Sequence, residues 1–421
     1  MRQRLAQFSL AGARHGLIMA GATLIAGTLD YLYNTLTGRL LDPVEFGVLV
    51  SITAILQVAV HLTNVIRNVV AYYTADMSSR TTTEAQVAPF IRLAWHWVWR
   101  WGLVATVIFA LLSPLLARLL HLTTTLPLWA ASLALFLLFL RPVTDGALQG
   151  YQHFGGLGAV QVIQALLRLL LATLLIRLGW QAFGAILALP LASVAALGLA
   201  LWLLRPFINL MRSRQPTDAT LRQTISWGYS VQTLMGLLAF ALLTNMDAVV
   251  VKLLFDPVTA GQYGPVVTLG KINLFIPLAM GMVLFPKTTQ RQASGRDPRP
   301  VLFLALGVTL LPGLALTAVY FLFPGLLVQT IFGDAYQDPG LLLGLVGLAT
   351  SLFATLNIWL NYALSLQRAT FVTALAVVLG LQIVGMALFH ADLAAIAETM
   401  VAAGIIGNLA AMVTLARSAA A

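Results

Sequence analysis

"RLLDPVEFGVLVS" (39–51) returns in altered form as "KLLFDPVTAGQYGPVVT" (252–268). Each copy carries a basic residue, then Asp-Pro-Val, then an aromatic-Gly pair, and each joins two long apolar runs. Phe46-Gly47 and Tyr263-Gly264 lie 217 residues apart. A second echo, "ALQGYQ" (147–152) against "ALSLQR" (363–368), has an offset of 216. Two independent matches at nearly one offset predict two homologous halves, 1–205 and 219–421, joined by a basic, Pro-containing linker at 206–218.

Composition sets what those halves are made of. Of the 421 residues 60% are hydrophobic and 9% charged, with a mean hydropathy of +0.90, whereas soluble domains carry about 25% charged residues. The chain therefore reads as an integral membrane protein. An α-helix rising 1.5 Å per residue needs about 20 residues to cross the hydrocarbon layer, and twelve apolar runs of that order occur. They are 16–38, 46–73, 90–118, 126–148, 156–177, 182–204, 222–253, 262–286, 300–323, 340–364, 369–389 and 393–416. Stretches such as "VATVIFALL" (104–112) are apolar on every side, which fits helices and not the alternating strands of a membrane barrel. With Arg14 at the start of the first run and no small-residue cleavage site after it, that run is read as a mature helix rather than a signal peptide. The fold class is an all-α membrane protein of about twelve helices. Six helices per half return the chain to its starting side, so the two bundles are parallel repeats.

The net charge of +10 is explained by topology without nucleic acid. With both termini cytoplasmic, sixteen basic residues, Arg141 among them, fall on cytoplasmic segments and four (Arg39, Arg118, Arg177 and Lys252) on the other side. That bias follows the positive-inside rule and makes the linker cytoplasmic. Cysteine is absent, which excludes disulfides and thiolate chemistry. The six histidines lack metal-ligand spacing, so neither metal nor cofactor is expected.

The motifs carry a resemblance. "GRLLDPVEFGVL" (38–49), "NMDAVVVKLLFDPVTAGQYG" (245–264), "LFPKTTQ" (284–290) and "IFGDAY" (331–336), in that order and spacing, are similar to the polysaccharide exporter branch of the multidrug/oligosaccharidyl-lipid/polysaccharide superfamily, in the prokaryotic cytoplasmic membrane. The resemblance implies two six-helix bundles around a central cavity and the flipping of a lipid-linked glycan to the outer face. The major-facilitator fold shares the helix count, but its usual Gly, Asp and basic-cluster signature is missing from "TADMSSRTTTEAQVAP" (74–89).

Polar residues inside the spans are the candidate site. A charge at the centre of a membrane helix costs about 2.5–3.5 kcal/mol on insertion scales, so such residues should face protein or water. Gln57, His61, Asn64 and Asn68 recur at intervals of 4, 3 and 4, one face of an α-helix, with Arg67 beside them. The fifth span repeats the device with Gln161, Gln164 and Arg168. The eighth holds Lys271 and Asn273, with Pro277 expected to bend it. Interhelical hydrogen bonding is the competing reading of the amides, and it is preferred for Asn357 and Asn361. Arg100, inside "WHWVWRWG" (95–102), reads as an interfacial anchor. Asp30, Asn34, Asp247 and Glu398 add polar groups, the acids being candidates for charge pairing or ion coupling.

These residues point to a transporter rather than an enzyme, because no outer loop carries a catalytic constellation. The expected cargo is an anionic lipid-linked oligosaccharide or polysaccharide precursor. Arg67, Arg168 and Lys271 would hold phosphate, Asn34, Gln57, His61, Asn64, Asn68, Gln161 and Gln164 would contact sugar, and alternating access would move it. Expected partners are membrane lipids and glycosyltransferases of the same pathway. The alternatives are a multidrug or cation antiporter of the same superfamily, which would favour an acidic cavity, and a membrane-embedded glycosyltransferase or polymerase, which would need a catalytic outer loop.

Overall fold

In a computed structural model of the chain, residues 2–78, 87–209, 227–275, 297, 299–366 and 368–416 are described, without the side chains of 1–18, 20, 207–209, 227–231, 369 and 415–416. Most of the linker 206–218, together with Pro277 and "LFPKTTQ" (284–290), lies outside them. The described residues form α-helices and no strand. In chain order these are α1 (Arg2–Leu40), α2 (Pro43–Ser78), α3 (Val87–Leu119), α4 (Leu126–Gly150), α5 (Phe154–Leu175), α6 (Gln181–Asn209), α7 (Trp227–Leu254), α8 (Pro257–Gly270), α9 (Arg299–Leu322), α10 (Pro324–Phe332), α11 (Leu341–Ser365), α12 (Ala369–Leu388) and α13 (Leu393–Ala416). The described part of each of the twelve apolar runs lies on or begins on one of these helices, the eighth run being described only as far as residue 275, and the nine-residue α10 is a short addition between the ninth and tenth.

Nine described helical stretches are long and apolar enough to cross a membrane, and one of them, 154–206, contains two spans. It reverses at Ile176–Trp180, a wide turn in which Gly179 takes φ +89° and Gln181 follows at φ +44°. A Cβ strains the first of these conformations, which is why glycine marks the turn. Large side chains such as Leu24, Leu111 and Leu341 are exposed, as expected of surfaces that meet lipid rather than water.

The helices cluster into two compact units, residues 1–41 with 59–224, and residues 42–58 with 225–421. The first part of α2 thus groups with the second unit and the remainder with the first. Within the first unit α1 packs on α5, α5 on α6, α3 on α4 and α4 on α6. Within the second, α7 packs on α12, α12 on α13, α9 on α11 and α11 on α13. Counted as spans, these are the same four pairings, first with fifth, fifth with sixth, third with fourth and fourth with sixth. The repeated sequence corresponds to a repeated packing scheme.

The Asp-Pro-Val motifs start α2 and α8 and then meet inside the second unit. Asp42 accepts a hydrogen bond from the Glu45 N–H at 3.0 Å, and Asp256 accepts from Val258 and Thr259 at 3.0 and 3.1 Å. These are N-caps, with proline at the first helical position where its missing donor costs nothing. A Cβ added at Gly47 would stand 3.0 Å from the Gly261 Cα, and one at Gly261 would overlap the Pro43 carbonyl. The two helix starts therefore cross with their backbones in contact. Gly47 and Gly261 each follow their capping aspartate by five residues, so the position facing Gly47 is Gly261, while Gly264 receives the Phe46 ring. "IFGDAY" closes over the same crossing. Phe332 and Tyr336 lie 5.8 and 6.1 Å, centroid to centroid, from Phe46, and Gln262 clamps the loop by donating to the Ala335 carbonyl and accepting from the Gln337 N–H.

Candidate functional site

On α2, Gln57 and Asn68 are exposed, and His61, Asn64 and Arg67 are half-buried. The stripe is thus exposed at its two ends and half-buried between them. Arg67 sits where α2 touches α4. A Cβ on Gly146 would be 2.6 Å from the Arg67 carbonyl oxygen, and one on Gly150 would be 2.5 Å from the Thr74 Cβ. The glycines at 146 and 150 form a small-residue seam that lets the two backbones close up. Beside it Arg141 Nη2 donates to Asp145 Oδ2 at 3.0 Å, with both side chains about nine-tenths buried. Arg141 therefore lies inside the protein rather than on the cytoplasmic segment to which the charge count assigned it. Its carboxylate partner one turn away explains how α4 tolerates it, and the i, i+4 spacing of Arg141 and Asp145 was the available signal.

The other unit-one constellation joins α1 and α5. Arg168 Nη1 lies 3.3 Å from Asp30 Oδ1, and its guanidinium carbon stands 3.8 Å over the centre of the Tyr33 ring. An arginine stacked on an aromatic face and paired with a carboxylate is held by charge and quadrupole together. Tyr33 is buried and donates to the Ala185 carbonyl at 3.1 Å. It escaped the sequence reading, although it shares a helix face with Asp30 and Thr37. Asn34 donates to the Asp30 backbone carbonyl at 2.9 Å, and Gln164 donates to Ser193 at 2.9 Å. Both amides are engaged within the bundle; Gln161 is half-buried.

In the second unit Lys271 donates to Asn245 Oδ1 at 3.0 Å and lies 3.8 Å from Asp247 Oδ1, too far for a hydrogen bond but close enough for an ion pair. Asp247 is fully buried and accepts a hydrogen bond from the Tyr263 hydroxyl at 3.1 Å. At Lys271 the winding of α8 tightens into a 3₁₀ turn, Lys271–Leu274. Neighbouring helices satisfy the carbonyls this releases. Tyr320 donates to Leu269 O and Thr350 to Gly270 O, each at 2.7 Å, while Asn273 donates to Gly347 O and Ser351 Oγ. Departures from regular α-helix inside a membrane need such partners. Glu398 is exposed, on a different helix. Asn361 donates to Asn357 at 2.9 Å within α11. Arg100 is exposed among Trp97, Trp99 and Trp101, as an interfacial anchor would be.

Arg141, Arg168 and Lys271 each sit in a charge-paired cluster within their unit, and no group of acids and histidines among the described residues is suited to a metal. A sequence profile of the polysaccharide biosynthesis protein family matches residues 13–292. The chain belongs to that family. Its fold is that of the multidrug/oligosaccharidyl-lipid/polysaccharide transporters. An inward-facing multidrug resistance MATE family transporter of the MOP superfamily superposes with a TM-score of 0.73 at 13% identity, covering 92% of this chain and 94% of that one. The lipid II flippase MurJ in an inward closed conformation gives 0.68 at 12% identity, covering 95% and 87%. A eukaryotic MATE transporter gives 0.62 at 12% identity, covering 96% of each. No curated protein matches the chain. The family member is accordingly a multi-pass membrane protein with a transporter fold.

Proposed function

We propose that the protein flips an anionic lipid-linked oligosaccharide or polysaccharide precursor from the cytoplasmic to the outer face of the cytoplasmic membrane. The observation that carries this reading is the partly exposed polar face of α2, where amides and a histidine run beside Arg67 in a member of a polysaccharide biosynthesis family. Amides suit sugar hydroxyls, and guanidinium groups suit phosphate oxygens. Arg168 and Lys271 join the reading as members of paired clusters, each with its own carboxylate. The multidrug alternative is disfavoured by the same pairings. A cationic drug needs uncompensated acid, and Asp30, Asp145 and Asp247 each have a basic partner.

The test is surface glycan display in a strain deleted for its own exporter and supplied with the cognate glycan pathway. Wild-type protein should restore display, and Arg67→Ala at equal membrane abundance should not. Restored resistance to cationic drugs without glycan display would overturn the proposal in favour of the antiporter reading.

A further inference from the structure

We propose that Arg141 is a second phosphate ligand beside Arg67, and that Asp145 is a built-in carboxylate that the phosphate of the cargo displaces. The inference deepens the flippase reading and rests on it only for the identity of the cargo.

Three features of α2 and α4 lead to it. First, the charge is unbalanced. Arg67, Arg141 and Asp145 lie within electrostatic reach of one another, two guanidinium groups around one carboxylate. The two other cations of the candidate site have more support, Arg168 from Asp30 and the Tyr33 ring, Lys271 from Asp247 and the Asn245 amide.

Second, the cluster is short of hydrogen bonds. The Arg141 and Asp145 pair is joined through a single Nη2 to Oδ2 contact, not the two parallel bonds of a fork-to-fork arrangement. Asp145 Oδ1, Arg141 Nε and Arg67 Nε are all buried with no hydrogen-bond partner. Leaving such groups unsatisfied is costly, and the missing groups are mainly acceptors, since two of the three orphans are donors. A phosphate or diphosphate supplies several acceptor oxygens and more negative charge than the carboxylate it would replace on Arg141.

Third, the geometry is fixed. The seam at Gly146 and Gly150 presses α4 against the Arg67 turn of α2, so backbone packing sets the spacing of the helix turns that carry the two arginines. Asp145 can then leave Arg141 without separating those turns, and so act as a stand-in. It keeps Arg141 neutralised while the site is empty and returns to it when the cargo leaves.

Two sources carry this chemistry, an isoprenoid-type diphosphate and the phosphate of an ordinary phospholipid, and the test separates them. The full chain, in phosphatidylcholine nanodiscs, is titrated with inorganic pyrophosphate and with farnesyl diphosphate by calorimetry. Arg141→Gln should weaken both by about tenfold or more, the size of one lost charge-assisted hydrogen bond, with Arg141→Lys between it and wild type. Asp145→Asn should tighten both severalfold, because the internal competitor is gone. A misfolded variant cannot bind more tightly, so that gain keeps the test decisive if Arg141→Gln fails to fold.

Unchanged or weaker binding in Asp145→Asn overturns the proposal and makes the pair a structural staple. Loss of pyrophosphate binding when phosphatidylglycerol replaces phosphatidylcholine, with binding kept when an equally anionic sulfolipid replaces it, also overturns it, since the occupant is then a phospholipid headgroup. If these affinities behave as expected while the glycan display assay fails, the anion site stands and the glycan reading falls.

Discussion

Asp247 shows what a single buried charge demands of its neighbours. It is fully enclosed, with Tyr263 on one oxygen and Lys271 near the other. Asp247→Asn should strand the Lys271 ammonium, and breaking a buried pair from one side costs about 3–5 kcal/mol. The Lys271 side chain is 23% exposed, which places the expected loss at the lower end. Lys271→Met should cost a comparable amount, and the double variant should recover part of the loss, since neither charge is then left alone. Thermal unfolding of the four proteins in one detergent measures the coupling directly; strictly additive losses would mean the two groups do not interact. Asp247 and Lys271 were legible as polar positions in the sequence. Their pairing was not, because a helical period tells which residues share a face but not which face of another helix they meet. Arg141 shows the opposite failure. A count of charges by segment treats each as a separate position and so passes over a neighbour four residues away that lets one stay inside.

The starts of α2 and α8 carry two element-level expectations. Asp256 is an exposed N-cap whose carboxyl is held below its ordinary value of 3.8, first by the Thr259 side chain and then by the Thr259 backbone N–H. Its folded-state value is depressed, so the stabilisation is complete above the unfolded value and disappears as pH falls through the lower folded one. Asp256→Ala should cost about 1 kcal/mol at neutral pH, and the difference from wild type should shrink in melts below about pH 4. The glycine crossing gives a sharper contrast. Gly261→Val would drive a side chain into the Pro43 carbonyl, whereas Gly198 has open space around its Cβ position. Overpacking of this kind costs about 1–3 kcal/mol or more. Membrane yield and melting temperature of Gly261→Val should fall well below those of Gly198→Val; equal values would mean the crossing is not tight. The recurring Asp-Pro-Val was visible in the sequence as a repeat. That Gly47 opposes Gly261 became visible only with the caps in place, since the aromatic-Gly pair stands further from its aspartate in the second copy and leaves Gly261, not Gly264, five residues after Asp256.

At the scale of the whole chain, the four helix pairings of one unit recur in the other. Composition and the apolar runs carried the class and helix count, because both follow from the apolar solvent and the thickness of a bilayer and not from side-chain detail. The assignment of 42–58 to the second unit was not legible, since it depends on contacts between segments more than 200 residues apart. A transport prediction belongs here. If the cargo leaves with two negative charges, an inside-negative potential of about 100 mV contributes roughly 4–5 kcal/mol to outward movement. Collapsing the potential with a potassium ionophore at high external potassium should slow flipping of a fluorescent lipid-linked glycan in proteoliposomes. A rate independent of potential would indicate a charge-balanced cycle.

The Gly47 and Gly261 contact joins two positions that stand at the same step, each five residues after the capping aspartate of its helix. A contact between like positions has a property of an isologous dimer interface, in which each surface must fit a copy of itself. Here both surfaces belong to one chain. Small size at this step is therefore a constraint of mutual fit rather than of either helix alone. Since the two glycines can be replaced separately, Gly47→Ala and Gly261→Ala can be compared. Unequal effects would report how far the crossing departs from two-fold symmetry.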